Sequence, residues 1–262
     1  MGDGMTEFLR LKQICLVAPS IEPAASDIGA VMGLDVCYRD PAVGAYGLEN
    51  VLYPVDATLL EVVAPTREGT AAGRFLNKIT GPGGQHGGYM VIFTCHDVER
   101  RREHAKAIGV RVAHVLDKPT FYGIQLHPAD CRAAFVDFNR TKDSDGVFGP
   151  YTVAGPNWQD FIRRDTTQAL VGIEVESPDP DNLADHWAKI IEVPVARTAG
   201  GEPALTFVNC TIRFVKGPAE VLGGLVFKVR DIAKVCDAAA ARGYKVDGHS
   251  FHMCGVDFRL VA

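Results

Sequence analysis

The sequence predicts an α+β fold made of four copies of one strand–helix–three-strand (βαβββ) unit, grouped as two tandem domains. Three observations predict it. An apolar run, a short helical pattern and a small apolar meander recur in that order at 11–65, 87–139, 168–218 and from Gly223 to the end of the chain. Three of the four helical patterns stop at a glycine that tolerates a left-handed backbone: Gly33, Gly109 and Gly243. The pattern breaks once, between Arg140 and Thr167, in a stretch rich in Gly, Pro and Asp. The expected division is therefore a domain over 8–140, a linker over 141–167 and a second domain over 168–262.

In the first unit, LKQICLVAP is an apolar strand with Gln13 set into it. Ser20 or Glu22 opens the following helix and Gly33 closes it. VCYRD, AYGLENVLYPV and TLLEVVAP make the three remaining strands, the last carrying Glu61 among Leu59, Leu60, Val62 and Val63. A carboxylate there is costly unless it is paired, hydrogen-bonded or bound to a metal. The connection 66–88 holds a crossover helix in TAAGRFLNKI and a glycine-rich end, GPGGQHGG, of the long kind that is often functional. The second helix starts at Asp97 and ends by Gly109, with Val98, Ala105 and Ile108 inward and Arg100, Arg101 and Arg102 as a solvated basic face. The third lies within Asp181 to Ile191. The fourth runs from Asp231 to Arg242 with an alanine-rich middle that favours helix.

Composition excludes several classes. At 262 residues with 23% charged and 47% hydrophobic side chains, the chain is ordinary globular material with ample core. A net charge of −5 attracts neither nucleic acid nor an anionic membrane. The N-terminus lacks the layout of a secretory signal, and no run approaches the apolar length of a span. The seven cysteines are scattered without a C-x-x-C pair, which points to a reducing, cytoplasmic setting and excludes a zinc knuckle. Rossmann, phosphate-loop and G-x-S-x-G patterns are missing, so no nucleotide cofactor is expected.

Paired βαβββ units with a polar residue on the first strand and an acid on the last resemble the vicinal oxygen chelate superfamily. That group includes glyoxalase I, methylmalonyl-CoA epimerase, extradiol dioxygenases and bleomycin-resistance proteins. QICLVAP, VMGLDV and LLEVVAP carry the resemblance, with LHPADCRAAFVDF as the closing hairpin of the second unit. It implies glyoxalase/bleomycin-resistance/dioxygenase-like domains in which two units curl into a cup, each giving one metal ligand from its first strand and one from its last. Aligned on that pattern, the first-strand position falls on Gln13, Met90, Leu170 and Gly224, and the last-strand position on Glu61, Asp137, Arg213 and Arg259. The resemblance thus implies a divalent ion (Mg, Mn, Fe or Zn) on Gln13, Glu61 and Asp137, with Met90 where a His is usual and no ligand in the second half. Oxygen donors suit a hard ion. The alternative leaves Glu61 and Asp137 as cup-lining acids without metal.

Alternation across the second hairpin puts Gln125, His127, Phe135 and Asp137 on one face, which makes His127 a candidate general acid or base, or else a turn cap. Tyr46 and Asn50 alternate along a meander strand and, with Met90 and Gln125, are candidate substrate contacts. Arg213 and Arg259 hold matching positions and form either an anion site or ion pairs with Glu174 and Asp257. The leading expectation is a metal-dependent isomerase or lyase acting next to a carbonyl, with Glu61 and His127 catalytic. The alternative is a small-molecule-binding protein of the bleomycin-resistance type. An extradiol dioxygenase is less favoured, because two His and a carboxylate are not in place. The partners expected are a small molecule and, for a homodimer, a second copy of the chain.

Overall fold

The computed structural model describes residues 8–78 and 86–262. The first half forms β1 (Leu9–Val17), α1 (Ala24–Met32), β2 (Leu48–Val55), β3 (Thr58–Pro65), α2 (Ala71–Leu76), β4 (Gly87–Cys95), α3 (Val98–Ala107), β5 (Val112–Lys118), β6 (Phe121–Leu126), a single-turn α4 (Pro128–Cys131) and β7 (Phe135–Thr141). The second half forms β8 (Thr167–Ser177), α5 (Pro180–Ile191), β9 (Ala196–Arg197), β10 (Pro203–Thr206), β11 (Thr211–Lys216), β12 (Val221–Val229), α6 (Ile232–Ala241), β13 (Val246–Asp247), β14 (Ser250–Met253) and β15 (Val256–Val261). The strands make two mixed sheets, ordered β2-β3-β1-β4-β7-β6-β5 and β13-β14-β15-β12-β8-β11-β10-β9. In each sheet the first strands of two units meet antiparallel in the middle, β1 on β4 and β8 on β12. The four-unit α+β expectation is what the chain builds.

The helices start where local chemistry tells them to. Asp97, Asp179 and Asp231 each accept a hydrogen bond from the backbone N–H three residues on, opening α3, α5 and α6. α1 lacks a side-chain N-cap on Pro23; Glu22 accepts from the Ser26 N–H instead. Gly33 closes α1 at φ 63°. α5 ends without a glycine, on Glu192 at φ 60°. That backbone costs a non-glycine residue about 1 kcal/mol, and the Glu192 carboxylate offsets it by receiving Arg100 and Arg101 from the other half.

Three expectations are corrected. VCYRD is not a strand but a single bridge between Tyr38 and Leu52, because Pro41 starts a 3-10 turn over Pro41–Tyr46 that carries the chain off the sheet. Ile108 is 42% exposed rather than inward. Arg101 is 5% exposed rather than solvated, since it donates to the Ile191 carbonyl at 2.8 Å and to Glu192 at 2.6 Å. The expected crossover helix is α2, opened by the Thr70 hydroxyl on the Gly73 N–H; the glycine-rich stretch after it lies largely outside the described residues.

One apolar cluster runs through both halves. It joins Ile14, Ile28, Val91 and Phe138 to Ile173, Trp187, Phe214 and Phe258 beneath α1, α3, α5 and α6. The halves also meet backbone to backbone at Gly88, where an added Cβ would lie 2.4 Å from the Leu222 carbonyl oxygen.

Candidate functional site

The first sheet turns its helix-covered face to this core, and its other face, the cup expected above, lies between α2 and the connecting segment. A bulge sets up the floor. Leu11 pairs with Phe93 and Gln13 with Ile92, so Lys12 is an extra residue on β1. Leu11 and Ile14 therefore both stay in the core, while Lys12 and Gln13 turn into the cup. The register then lines up Gln13, Ile92, Asp137 and Gln125 across β1, β4, β7 and β6. The neighbouring row holds Glu61, Cys15, Met90 and Phe135. Gln13 and Asp137 stand two strand spacings apart, about 10 Å at the backbone, with Ile92 between them in the register.

Glu61 is fixed by neutral donors. Gln13 Nε2 donates to one carboxylate oxygen at 2.7 Å and Asn50 Nδ2 to the other at 2.6 Å. Burial pushes its pKa up against these hydrogen bonds, which pull it down. Asp137 accepts from Asn139 Nδ2 at 2.9 Å and from Gln125, and burial raises its pKa to about 7, with Glu61 adding to the rise. Neither carboxyl has an ion-pair partner among the described residues. Because both amide nitrogens face carboxyl groups, their oxygens are left over. Gln13 Oε1 and Asn139 Oδ1 are buried with no hydrogen-bond partner among the described residues, and their residues are 4% and 3% exposed. Native proteins rarely leave such groups unpaired.

Apolar groups close the belt on both sides. α2 lays Ala72, Phe75 and Leu76 against Val17, Val63, Tyr89 and Met90. The Phe75, Tyr89 and Phe135 rings pack edge-on and tilted, with centroids 4.9–6.3 Å apart. At the other end, Tyr151, Ala154 and Trp158 of the connecting segment sit on Leu59 and Phe121. Tyr151 accepts from Asn139 at 3.2 Å. Lys12 holds this strap: its ammonium donates to the Ala57 and Val147 carbonyls at 2.9 and 3.3 Å and lies 4.3 Å from the Trp158 ring centre. Burial lowers its pKa to about 8. A cavity of about 20 Å³ beside it, lined by Thr141, Tyr151 and Asn209 among others, is water-sized.

The candidate residues divide accordingly. Gln13, Glu61, Asp137, Gln125 and Met90 share the cup. Asn50 is there too, but its amide is committed to Glu61 and its oxygen to the Asp40 N–H. Tyr46 lies on the surface, 47% exposed, bonded to His114 at 3.1 Å. His127 caps the α4 turn: its Nδ1 accepts from the Ala129 N–H and stands 3.3 Å from Arg111. This is the turn-capping alternative for His127, with Nδ1 engaged at the turn. Arg213 and Arg259 are not free to grip an anion, because both ion-pair with Glu174, a residue 4% exposed, and Arg259 also with Asp257. Glu174 stands opposite Arg213 in the register, whereas Leu170 is buried in the core. Sequence reasoning missed Cys15 and Asn139, whose parity with Gln13 and Asp137 was available, and Tyr151, which no local signal reveals.

A divalent ion does not fit this donor set. Both Glu61 oxygens already face amide N–H groups at short distance, and Met90 and Ile92 occupy the floor where further ligands or metal-bound waters would sit. Mg in particular requires about six oxygen ligands, protein or water, in near-octahedral geometry. Among the described residues no three His, Cys, Asp or Glu side chains converge on a point suited to a metal.

No family model matches the chain, and no curated protein matches it in sequence. Solved structures do match. A hypothetical protein from Staphylococcus aureus superposes with a TM-score of 0.64 at 13% identity, over 97% of this chain and 99% of that one. A triple mutant of 4-hydroxymandelate synthase from Streptomyces coelicolor gives 0.62 at 12% identity, over 91% and 76%. At such identities the likeness is one of fold. Among the described residues, no helix is long and apolar enough to cross a membrane.

Proposed function

We propose, starting from a chain with the tandem fold of the vicinal oxygen chelate superfamily, that the first-half cup binds a small molecule without a divalent metal. The observation that carries this reading is the pair of buried, unpartnered amide oxygens, Gln13 Oε1 and Asn139 Oδ1, beside two buried carboxyl groups. A polar belt of this kind favours a guest that completes its hydrogen bonds. The apolar groups on either side supply the contact area that small-molecule sites need, and α2 is the short element whose displacement admits the guest. This is the binding-protein alternative rather than the metal-dependent isomerase. Gln13, Asn139, Asp137 and Gln125 hold the ligand, Glu61 is the fixed acceptor behind Gln13, and Met90 and Ile92 are the floor.

One observation favours a second, catalytic reading. Two carboxyl groups whose pKa values burial raises, Asp137 to about 7, are suited to exchange a proton next to a carbonyl at neutral pH. In that scheme Asp137 is the base and Gln125 and Asn139 hold its oxygens.

The test is a thermal-shift screen of small molecules on the wild type and on Gln13→Leu and Asn139→Leu, together with elemental analysis after loading with Mg, Mn, Fe(II) and Zn. Stabilising compounds whose effect is lost in both variants, with metal below one ion per chain, are expected. Stoichiometric metal that disappears in Glu61→Ala would restore the metal-dependent isomerase.

A further inference from the structure

Resting on the reading of the first-half cup as a small-molecule site, we infer that the ligand is a primary amine bound as its ammonium ion, carrying a compact apolar or aromatic substituent. The belt has two demands at once. Gln13 Oε1 and Asn139 Oδ1 need hydrogen donors. Glu61 and Asp137, when ionised, lack a counter-charge: their hydrogen-bond partners are neutral amides, and no Arg, Lys or His ion-pairs with either among the described residues. Water meets the first demand and leaves the second. A divalent ion meets the second and carries no hydrogens. An ammonium group meets both, with three N–H donors and one charge.

The register gives it a place. Gln13 on β1 and Asp137 on β7 flank Ile92 on β4, and Asn139 follows Asp137 on the same face of its strand. A nitrogen seated over Ile92 has an amide oxygen on one side, and an amide oxygen and a carboxylate on the other. The substituent then follows the neighbouring row, Cys15, Met90 and Phe135, toward Tyr89 and Phe75. Those rings already pack edge-on, and a flat substituent replaces the Phe75 ring between Tyr89 and Phe135. The same belt rejects carboxylates and phosphates, because it offers an anion two buried carboxyl groups and, among the described residues, no cation paired with them. Lys12, the neighbour of Gln13 on β1, is turned to the strap and donates to the Ala57 and Val147 carbonyls.

The experiment is calorimetric titration of the full chain at pH 8 with benzylamine, benzyl alcohol, benzoate and potassium chloride, repeated on Asp137→Asn and Phe75→Ala. Benzylamine is expected to bind at least about tenfold more tightly than benzyl alcohol. Benzoate and potassium are expected to give no heat. Asp137→Asn, nearly isosteric and therefore expected to fold, should remove the preference for the amine. Phe75→Ala should tighten benzylamine by clearing its slot. Benzyl alcohol or benzoate binding as tightly as benzylamine, in a manner lost on Asn139→Leu, overturns the ammonium assignment and leaves the site standing. Potassium reproducing the heat overturns the amine in favour of a bare cation. No binding by any of the four, in the wild type or in Phe75→Ala, overturns both the assignment and the site.

Discussion

Asp137→Asn should stabilise this protein in alkaline solution and do little in acid. Asp137 is 3% exposed and burial holds its pKa near 7, against about 3.9 in an unfolded chain. The native state therefore binds the proton more tightly than the unfolded state does. Whatever stability this contributes is fully present below about pH 4 and is lost as the pH rises through 7. The gap of about 3 units corresponds to about 4 kcal/mol at 1.36 kcal/mol per unit. With the carboxyl buried, solvent screening takes little from that figure. Asn keeps the acceptor for Asn139 and carries no proton to lose. The difference in unfolding free energy, Asn minus wild type, should rise by about 1.4 kcal/mol per pH unit between 4 and 7 and level off near 4 kcal/mol at pH 8. Urea titrations of both proteins at unit pH steps measure it, and the matching change in melting temperature is about 10 °C. Using the difference cancels surface ion pairs such as Arg111 with Asp130, whose lowered carboxyl pKa acts in the opposite direction. A difference that is flat with pH, or that falls, would refute the account of a carboxyl buried without a cation.

Gly88→Ala should lower stability by about 3 kcal/mol or more, read as a urea midpoint, because the new methyl group meets the Leu222 backbone 2.4 Å away. Lys12→Met keeps the packing and removes the ammonium, so it should cost about 1–2 kcal/mol and speed proteolysis within the strap; an unchanged cleavage rate would count against the clamp. Removing Arg213 and Arg259 together should cost about 3–5 kcal/mol by leaving Glu174 buried and unpaired. Adding Glu174→Gln should recover most of that loss, and no recovery in chemical denaturation would show that the pairs do not act through Glu174.

The repeat was legible because periodicity and caps are local: the aspartates before α3, α5 and α6 and the glycines after α1, α3 and α6 lie within a few residues of what they control. Gln13, Glu61 and Asp137 stood out as polar residues in apolar strands, and the cup does gather them. Their partners were harder. Asn50 resembles a ligand contact until Glu61 is seen to take its amide. His127 shares parity with Asp137, but the turn at Pro128 claims its ring nitrogen. Arg101 looked like one of three solvated arginines, and its burial depends on the end of α5, some 90 residues away. Lys12 could not be read at all, because a bulge changes the parity from which its direction would be inferred.

The shared core beneath the helices has a consequence for how the molecule comes apart. Each half has its own sheet, yet Phe138 and Trp187 belong to one apolar cluster, and Arg101 and Glu192 tie α3 to the end of α5. Neither half keeps its helix layer dry without the other. Thermodynamically the chain is then one unit. Denaturant should melt both sheets in a single transition, and a fragment ending in the connecting segment would present to water the surface that the missing half covers, which makes it prone to aggregate rather than a minimal version of the protein.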